Sequence, residues 1–240
     1  MKTLIKKALK ILGYQIKKYQ EEDIPRLKII TQCDINKLLD VGANVGQYGM
    51  DMRKLGYSKK IISFEPLKAA YEKLYEVARN DKNWMVNNYA LGNENTTSIL
   101  NVSGNSYSSS ILNMEPEHVK RAPDSRYVSK EAIEIKTLDS VFYDFFEEGD
   151  KIMLKIDTQG YEKNVILGAQ STLPNVSVIQ VEMSVIPLYE KQILFVEMVN
   201  FLDNMGFELF SLENGFSDKK TGKLFQLEGI FVNKKIANEF

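Results

Sequence analysis

The residues best suited to chemistry begin at 38–49, LLDVGANVGQYG. An apolar run ends on Asp40 and Val41, a glycine-bearing turn follows, and a helix-compatible stretch starts near Val45. Such a turn exposes backbone amides at the carboxyl end of a strand, where open α/β sheets bind ligands. The glycines fall as Gly42-x-x-x-Gly46-x-x-Gly49. That spacing is neither the G-x-G-x-x-G of dinucleotide folds nor the G-x-x-x-x-G-K-S/T of phosphate loops. No lysine follows the turn to hold a phosphate, and the Asp40 carboxylate would repel an anion and welcome a cation. Glu65, in Phe64-Glu65-Pro66, ends the next apolar run, at roughly the offset where such folds grip the two hydroxyls of a ribose. Alone, Asp40 also reads as a turn cap and Glu65 as a solvated strand-end charge. Their order and spacing together point to a ligand.

The elements that must position these groups are visible as short apolar runs at 37–41, 60–64, 84–91, 151–156 and 176–181, with two more at 207–212 and 227–232. Helix-compatible segments lie between them at about 46–56, 66–80, 161–171 and 191–205, the alternation of a doubly wound parallel sheet. The last two runs have only a polar stretch with Gly215 and Gly222 between them, which predicts an antiparallel hairpin at the sheet edge. Residues from about 92 to 139 break the alternation with two β-like runs, a Ser/Asn-rich patch and a charged, Pro-containing segment. They read as an insertion within one domain.

Of 240 residues, 44% are hydrophobic and 26% charged, which excludes a disordered or fibrous chain. A single cysteine, Cys33, cannot form an internal disulfide, so a cytoplasmic setting is the default, and Cys33 reads as buried filler. The single histidine, His118, cannot build a multi-histidine metal site, and its charged context, MEPEHVKR, predicts a solvated side chain. Trp84 and Tyr161 read as packing residues. A net charge of −1 argues against wrapping nucleic acid. The first twenty residues hold six lysines and no acid. On a helical wheel Leu4, Ile5, Ala8, Leu9, Ile11, Leu12 and Ile16 share one arc and the lysines the other. This basic amphipathic helix, followed by a second helix at about 25–35, predicts an N-terminal segment 1–35 ahead of a domain at 36–235. It would suit peripheral contact with a membrane surface.

LLDVGANVGQYG, then FEPLKAAYEKL, ALG, KTLDS and LKIDTQGYEKNVILGA resemble, in order and spacing, the FkbM family of S-adenosylmethionine-dependent methyltransferases, over roughly residues 35–235. The resemblance implies a class I methyltransferase fold: a Rossmann-like, seven-stranded mixed sheet with helices on both faces. It places Asp40, Gly42, Asn44 and Gly46 against the methionine and ribose of the cofactor, Glu65 on the ribose hydroxyls, Asn88, Ala90 and Leu91 beside the adenine, and Asp157 beside the transferred methyl. The cofactor brings the electrophile, so a chain poor in thiol and imidazole suffices. A hydroxyl acceptor still needs a base or a metal, and Asp157, Glu162 and Glu182 are the candidates at that end of the sheet. Many relatives read I-D-V-E-G where this chain has Ile156-Asp157-Thr158-Gln159-Gly160. Gln159 can orient a substrate but cannot take its proton. Ser108 and Ser109 in the inserted Ser/Asn patch are further candidates for holding the acceptor.

The expected activity is O-methylation of a hydroxyl, on a sugar of a glycan, glycolipid or natural product. No residue is assigned to a metal, no nucleic-acid partner is expected, and metal assistance and oligomeric state are left open. Two rivals are a cofactor-binding protein without turnover, suggested by Gln159, and a nicotinamide-dependent oxidoreductase, disfavoured by the glycine spacing.

Overall fold

Every residue of Lys37–Val41 (β1) and Ile152–Ile156 (β7) is buried, which explains why these strands read as largely apolar runs. The computed structural model describes residues 25–218 and 220–237; the basic helix expected over the first twenty residues lies outside them. In chain order the elements are α1 (Pro25–Gln32), β1, α2 (Gln47–Lys54), β2 (Lys60–Phe64), α3 (Lys68–Ala78), β3 (Trp84–Asn87), β4 (Ala90–Leu91), β5 (Thr96–Ser103), α4 (Pro116–Arg121), β6 (Tyr127–Lys136) and α5 (Leu138–Val141). After β7 come α6 (Glu162–Leu167), β8 (Val176–Ser184), α7 (Phe195–Asn204), β9 (Phe207–Asn214), β10 (Gln226–Asn233) and α8 (Lys234–Ala237).

Seven strands form one mixed sheet in the order β3-β2-β1-β7-β8-β10-β9, and β10 runs antiparallel to both neighbours. This is the class I methyltransferase arrangement, α/β with helices on both faces. Side chains alternate along each strand. Leu38, Met153 and Val178 therefore pack with Ile29 and Ile30 of α1 and Met52 of α2, while Leu39, Leu154 and Ile179 pack with Val165 and Ile166 of α6 and Met198 and Leu202 of α7. Cys33 is buried in the first of these layers.

Three features depart from the sequence expectation. The run 84–91 is two strands in two sheets, because the chain turns at Asn88, whose side-chain amide donates to the carbonyls of Glu65 (2.9 Å) and Pro66 (3.1 Å). β4 then joins β6 and β5 in a separate three-stranded sheet, built mostly from the inserted segment. The charged stretch of that segment contains α4, opened by Pro116, whose fixed φ and missing N–H suit a first turn. Finally, α4 turns His118 inward: the ring is 3% exposed, edge-on to Tyr189 at 5.2 Å and beside Phe216. Glu117 and Arg121 pair with each other, so the charged neighbours predicted the helix surface and not the histidine.

Candidate functional site

The turn after β1 is shaped by contacts that permit little else. Gly42 has φ +79°, and a Cβ there would stand 1.9 Å from the carbonyl oxygen of Asp157. The turn is thus pressed against the segment leaving β7. Asn44, also at positive φ (48°), donates its backbone N–H to Glu65 Oε2 at 2.8 Å, and Leu67 N–H donates to Glu65 Oε1 at 2.8 Å. The Glu65 carboxylate is fixed at both oxygens and 6% exposed. Burial pushes its pKa up to about 7, against the opposing pull of these two hydrogen bonds.

A cavity of about 450 Å³ opens over the carboxyl ends of the strands. Around the turn its lining includes Gly42, Asn44, Glu65, Pro66, Ala90 and Leu91; beyond Asp157 it includes Tyr48, Lys155, Gln180, Glu182 and Glu228. The inserted segment contributes Ser106, Tyr107 and Ser109. It is tied to both ends of the site, since the Asn44 side-chain amide donates to the Ser106 carbonyl (3.3 Å) and Ser110 Oγ to the Gln159 carbonyl (2.7 Å).

The acidic end is an ordered network. Gln159, itself at φ 54°, donates from Nε2 to Asp157 Oδ1 (2.7 Å) and to Glu182 Oε2 (2.8 Å), and Gln226 Nε2 also donates to Glu182 Oε2 (2.6 Å). Tyr189 Oη donates to Gln159 Oε1 at 2.7 Å. Because the carboxylates only accept, this bond and the two to the acids agree on which way the amide points. Glu228 faces Glu182 across the β8–β10 ladder. Burial and the neighbouring negative charges hold Glu182 well above the ordinary carboxylate range and raise Glu228 to about 7. One carboxylate oxygen from each of Asp157, Glu182 and Glu228 lies within 4.8 Å of the others, a spacing a divalent cation could bridge, although the two glutamine amides already satisfy part of this oxygen set.

Five residues expected at the site do not line the cavity. Asp40 is fully buried beneath it, with Lys155 Nζ 3.2 Å from Oδ1. Gly46 turns toward Leu74 and Trp84, where a Cβ would clash, and Asn88 holds the end of β2 as described. Ser108 faces into its own loop, taking a bond from Asn105 Nδ2 at 3.2 Å. Glu162 is 3% exposed, and its Oε1 accepts from Thr158 N, Thr158 Oγ1 and Gly160 N at 3.0, 3.2 and 2.9 Å. It braces the turn that carries Gln159; a carboxylate so engaged and so buried is a scaffold for the site, not a base facing an acceptor.

The family model for the methyltransferase FkbM domain matches residues 40–209, the span from the end of β1 through α7 into β9. The chain belongs to the FkbM methyltransferase family. No curated protein sequence matches it closely enough to be called a relative. Similar solved structures include magnesium protoporphyrin IX methyltransferase from Synechocystis with bound S-adenosylmethionine (8% identity, 97% of this chain and 96% of that one, TM-score 0.46). Others are TehB from Haemophilus influenzae (10% identity, 92% and 64%, TM-score 0.48) and a precorrin-6y C5,15-methyltransferase from Geobacter metallireducens (12% identity, 87% of each, TM-score 0.44).

The sequence reading passed over Arg26, Tyr48, Lys155, Gln180 and Glu228, all of which line the cavity. A signal existed for two of them: Lys155 interrupts IMLKI and Gln180 interrupts VIQV, polar residues inside strands too apolar to be exposed on either face. Arg26 and Glu228 come from α1 and β10, distant in sequence, and nothing local marked them.

Proposed function

We propose that this FkbM domain moves a methyl group from S-adenosylmethionine to a hydroxyl, with a sugar of a glycan, glycolipid or natural product as the acceptor class. The observation that carries the reading is the division of one cavity into a turn end, with a buried carboxylate fixed by two backbone amides, and an end crowded with carboxylates and amides beyond Asp157. The donor set suits the cofactor: there is a carboxylate for a ribose, and no lysine follows the turn to hold a phosphate. Gly42, Asn44, Glu65, Ala90 and Leu91 would hold it, with Asp157 at the boundary with the acceptor. When bound, S-adenosylmethionine supplies an electrophilic methyl group.

The chain's own task is then to align a hydroxyl and remove its proton. Amides and carboxylates of Gln159, Gln180, Glu182 and Glu228 offer the mixed donors and acceptors that a polyol needs. Glu228, with its proton affinity near neutrality, is suited to accept the proton at the pH of use, and Glu182 stands opposite it across the β8–β10 ladder. Glu182 and Asp157 are in addition held in place by Gln159.

The test is release of S-adenosylhomocysteine in the presence of a panel of sugars, glycolipids and small hydroxyl metabolites, with calorimetric titration of S-adenosylmethionine and NAD alongside. Acceptor-dependent release that falls on Asp157→Asn or Glu182→Gln supports the reading. Cofactor binding with no turnover on any acceptor would favour a binding protein, and binding of NAD alone would favour oxidoreduction. No helix among the described residues is long and apolar enough to cross a membrane. We further propose that residues 1–20 dock on a membrane surface; equal, negligible flotation with liposomes of the chain with and without them would refute that.

A further inference from the structure

Arg26, in the first turn of α1, lines the cavity together with Tyr48, Asp51, Gln180 and Glu228. Ile29 and Ile30 of the same helix are buried in the core, so the arginine is carried by an anchored element. Its guanidinium stands 5.7 Å from the centroid of the Tyr48 ring. Tyr48 is held in turn by its hydroxyl, which donates to Gln180 Oε1 at 2.7 Å. The Arg26 Nε atom is buried and has no hydrogen-bond partner among the described residues. Among the described residues no carboxylate pairs with this guanidinium, although Asp51 and Glu228 line the same cavity. The other cation of the lining, Lys155, is by contrast engaged by Asp40 at 3.2 Å and Asp157 at 3.5 Å.

An arginine half-withdrawn from water and without a carboxylate partner among the described residues is costly unless a ligand supplies the missing acceptor. Its planar set of donors matches an oxyanion with two coplanar oxygens. The distribution of charge gives a direction as well: beside Asp157 the cation of the lining, Lys155, is already engaged by carboxylates, whereas Arg26 would attract an anionic group.

We propose that the acceptor carries an anionic oxygen group, a carboxylate or a phosphate, which Arg26 grips while a neutral hydroxyl of the same molecule is presented to Asp157, Glu182 and Glu228. This rests on the acceptor reading given under Proposed function and narrows it to acidic or phosphorylated hydroxyl compounds. Arg26 is then a specificity residue, and Tyr48 the surface that keeps its guanidinium in place.

The experiment titrates the protein saturated with S-adenosylhomocysteine with glucuronate, glucose 6-phosphate and glucose in the calorimeter. At least one of the two anions should bind about tenfold or more tightly than glucose, the scale of a charge-assisted pair, and which of them does so separates carboxylate from phosphate. Arg26→Ala and the gentler Arg26→Gln should erase the preference while S-adenosylhomocysteine affinity and unfolding temperature stay at the wild-type values, and Arg26→Lys should keep part of it. Equal affinity for the three probes, absent binding included, overturns the proposal, as does a preference that survives in both neutral variants. Failure of the protein to bind S-adenosylhomocysteine overturns the methyl-transfer reading and this inference with it.

Discussion

Lys155 and Asp40 are direct neighbours across the β1–β7 ladder, with Nζ 3.2 Å from Oδ1 and both side chains almost wholly out of solvent. Burial alone would lower the lysine's pKa, yet Asp40, Asp157 and Glu228 together raise it, so the ammonium is kept charged beneath the cavity floor. Asp40 thereby acts on the site through Lys155. Lys155→Met strands a buried carboxylate and should cost about 3–5 kcal/mol of unfolding free energy, whereas Lys155→Met combined with Asp40→Leu should recover most of that loss. Urea unfolding of the three variants decides it; additive losses would show that the pair is not coupled.

Glu65→Gln removes a charge while keeping one acceptor for the N–H of Asn44 or Leu67. A carboxylate gripping ribose hydroxyls contributes about 1.5–3 kcal/mol, so the dissociation constants of S-adenosylmethionine and S-adenosylhomocysteine should both rise by roughly ten- to a hundredfold. Calorimetry measures this directly, and unchanged affinity would remove Glu65 from the cofactor site.

Gly42→Ala meets two obstacles at once: a left-handed φ and a backbone oxygen 1.9 Å from the new Cβ. Because the clash is with the Asp157 carbonyl, the substitution must part the turn from the β7 end. Loss of cofactor binding is expected together with a lowered unfolding temperature. A variant that binds normally would mean the turn can relax.

Burial raises Glu162 and Glu65 from 4.5 to about 7. Both therefore keep protons in the folded chain that the unfolded chain has already released. Their contribution to stability is complete below about pH 4.5 and is lost as pH rises toward 7, giving a declining stability over that window in the cofactor-free protein. Glu162→Gln preserves an oxygen for the three donors of the 158–160 turn and removes the titration. Its unfolding midpoint should fall less between pH 5 and 7 than that of the wild type, with turnover unchanged. A collapse of turnover at normal stability would return Glu162 to the list of bases.

Tyr189 Oη fixes the amide that bridges Asp157 and Glu182. Tyr189→Phe keeps the ring against His118 and deletes that bond. Turnover should drop about tenfold at nearly constant KM for the methyl donor, with a shifted pH profile because Gln159 no longer fixes the two carboxylates. A change in stability alone, at wild-type turnover and pH profile, would mark the hydroxyl as purely structural.

Much of this architecture is legible in the order of the residues. Buried parallel strands must be mostly apolar, amphipathic helices must repeat near 3.6, and a turn that approaches another backbone must use glycine. These are local demands, and the alternation of runs and the turn at Gly42 follow from them; Glu65 is marked by its offset from that turn, and Asp157 by the resemblance to the FkbM family. Which side chains actually share the cavity is decided elsewhere. β10 slips between β8 and β9, and only that pairing sets Glu228 opposite Glu182. Register between β1 and β7 pairs Asp40 with Lys155 and withdraws it from the surface. Packing of α4 on Tyr189 turns His118 inward, and packing of α1 carries Arg26 to the cavity's edge. Composition and spacing determine what each segment becomes; contacts between segments far apart in the chain determine which charges meet, because cross-strand register and helix docking are properties of pairs and are written in neither partner alone.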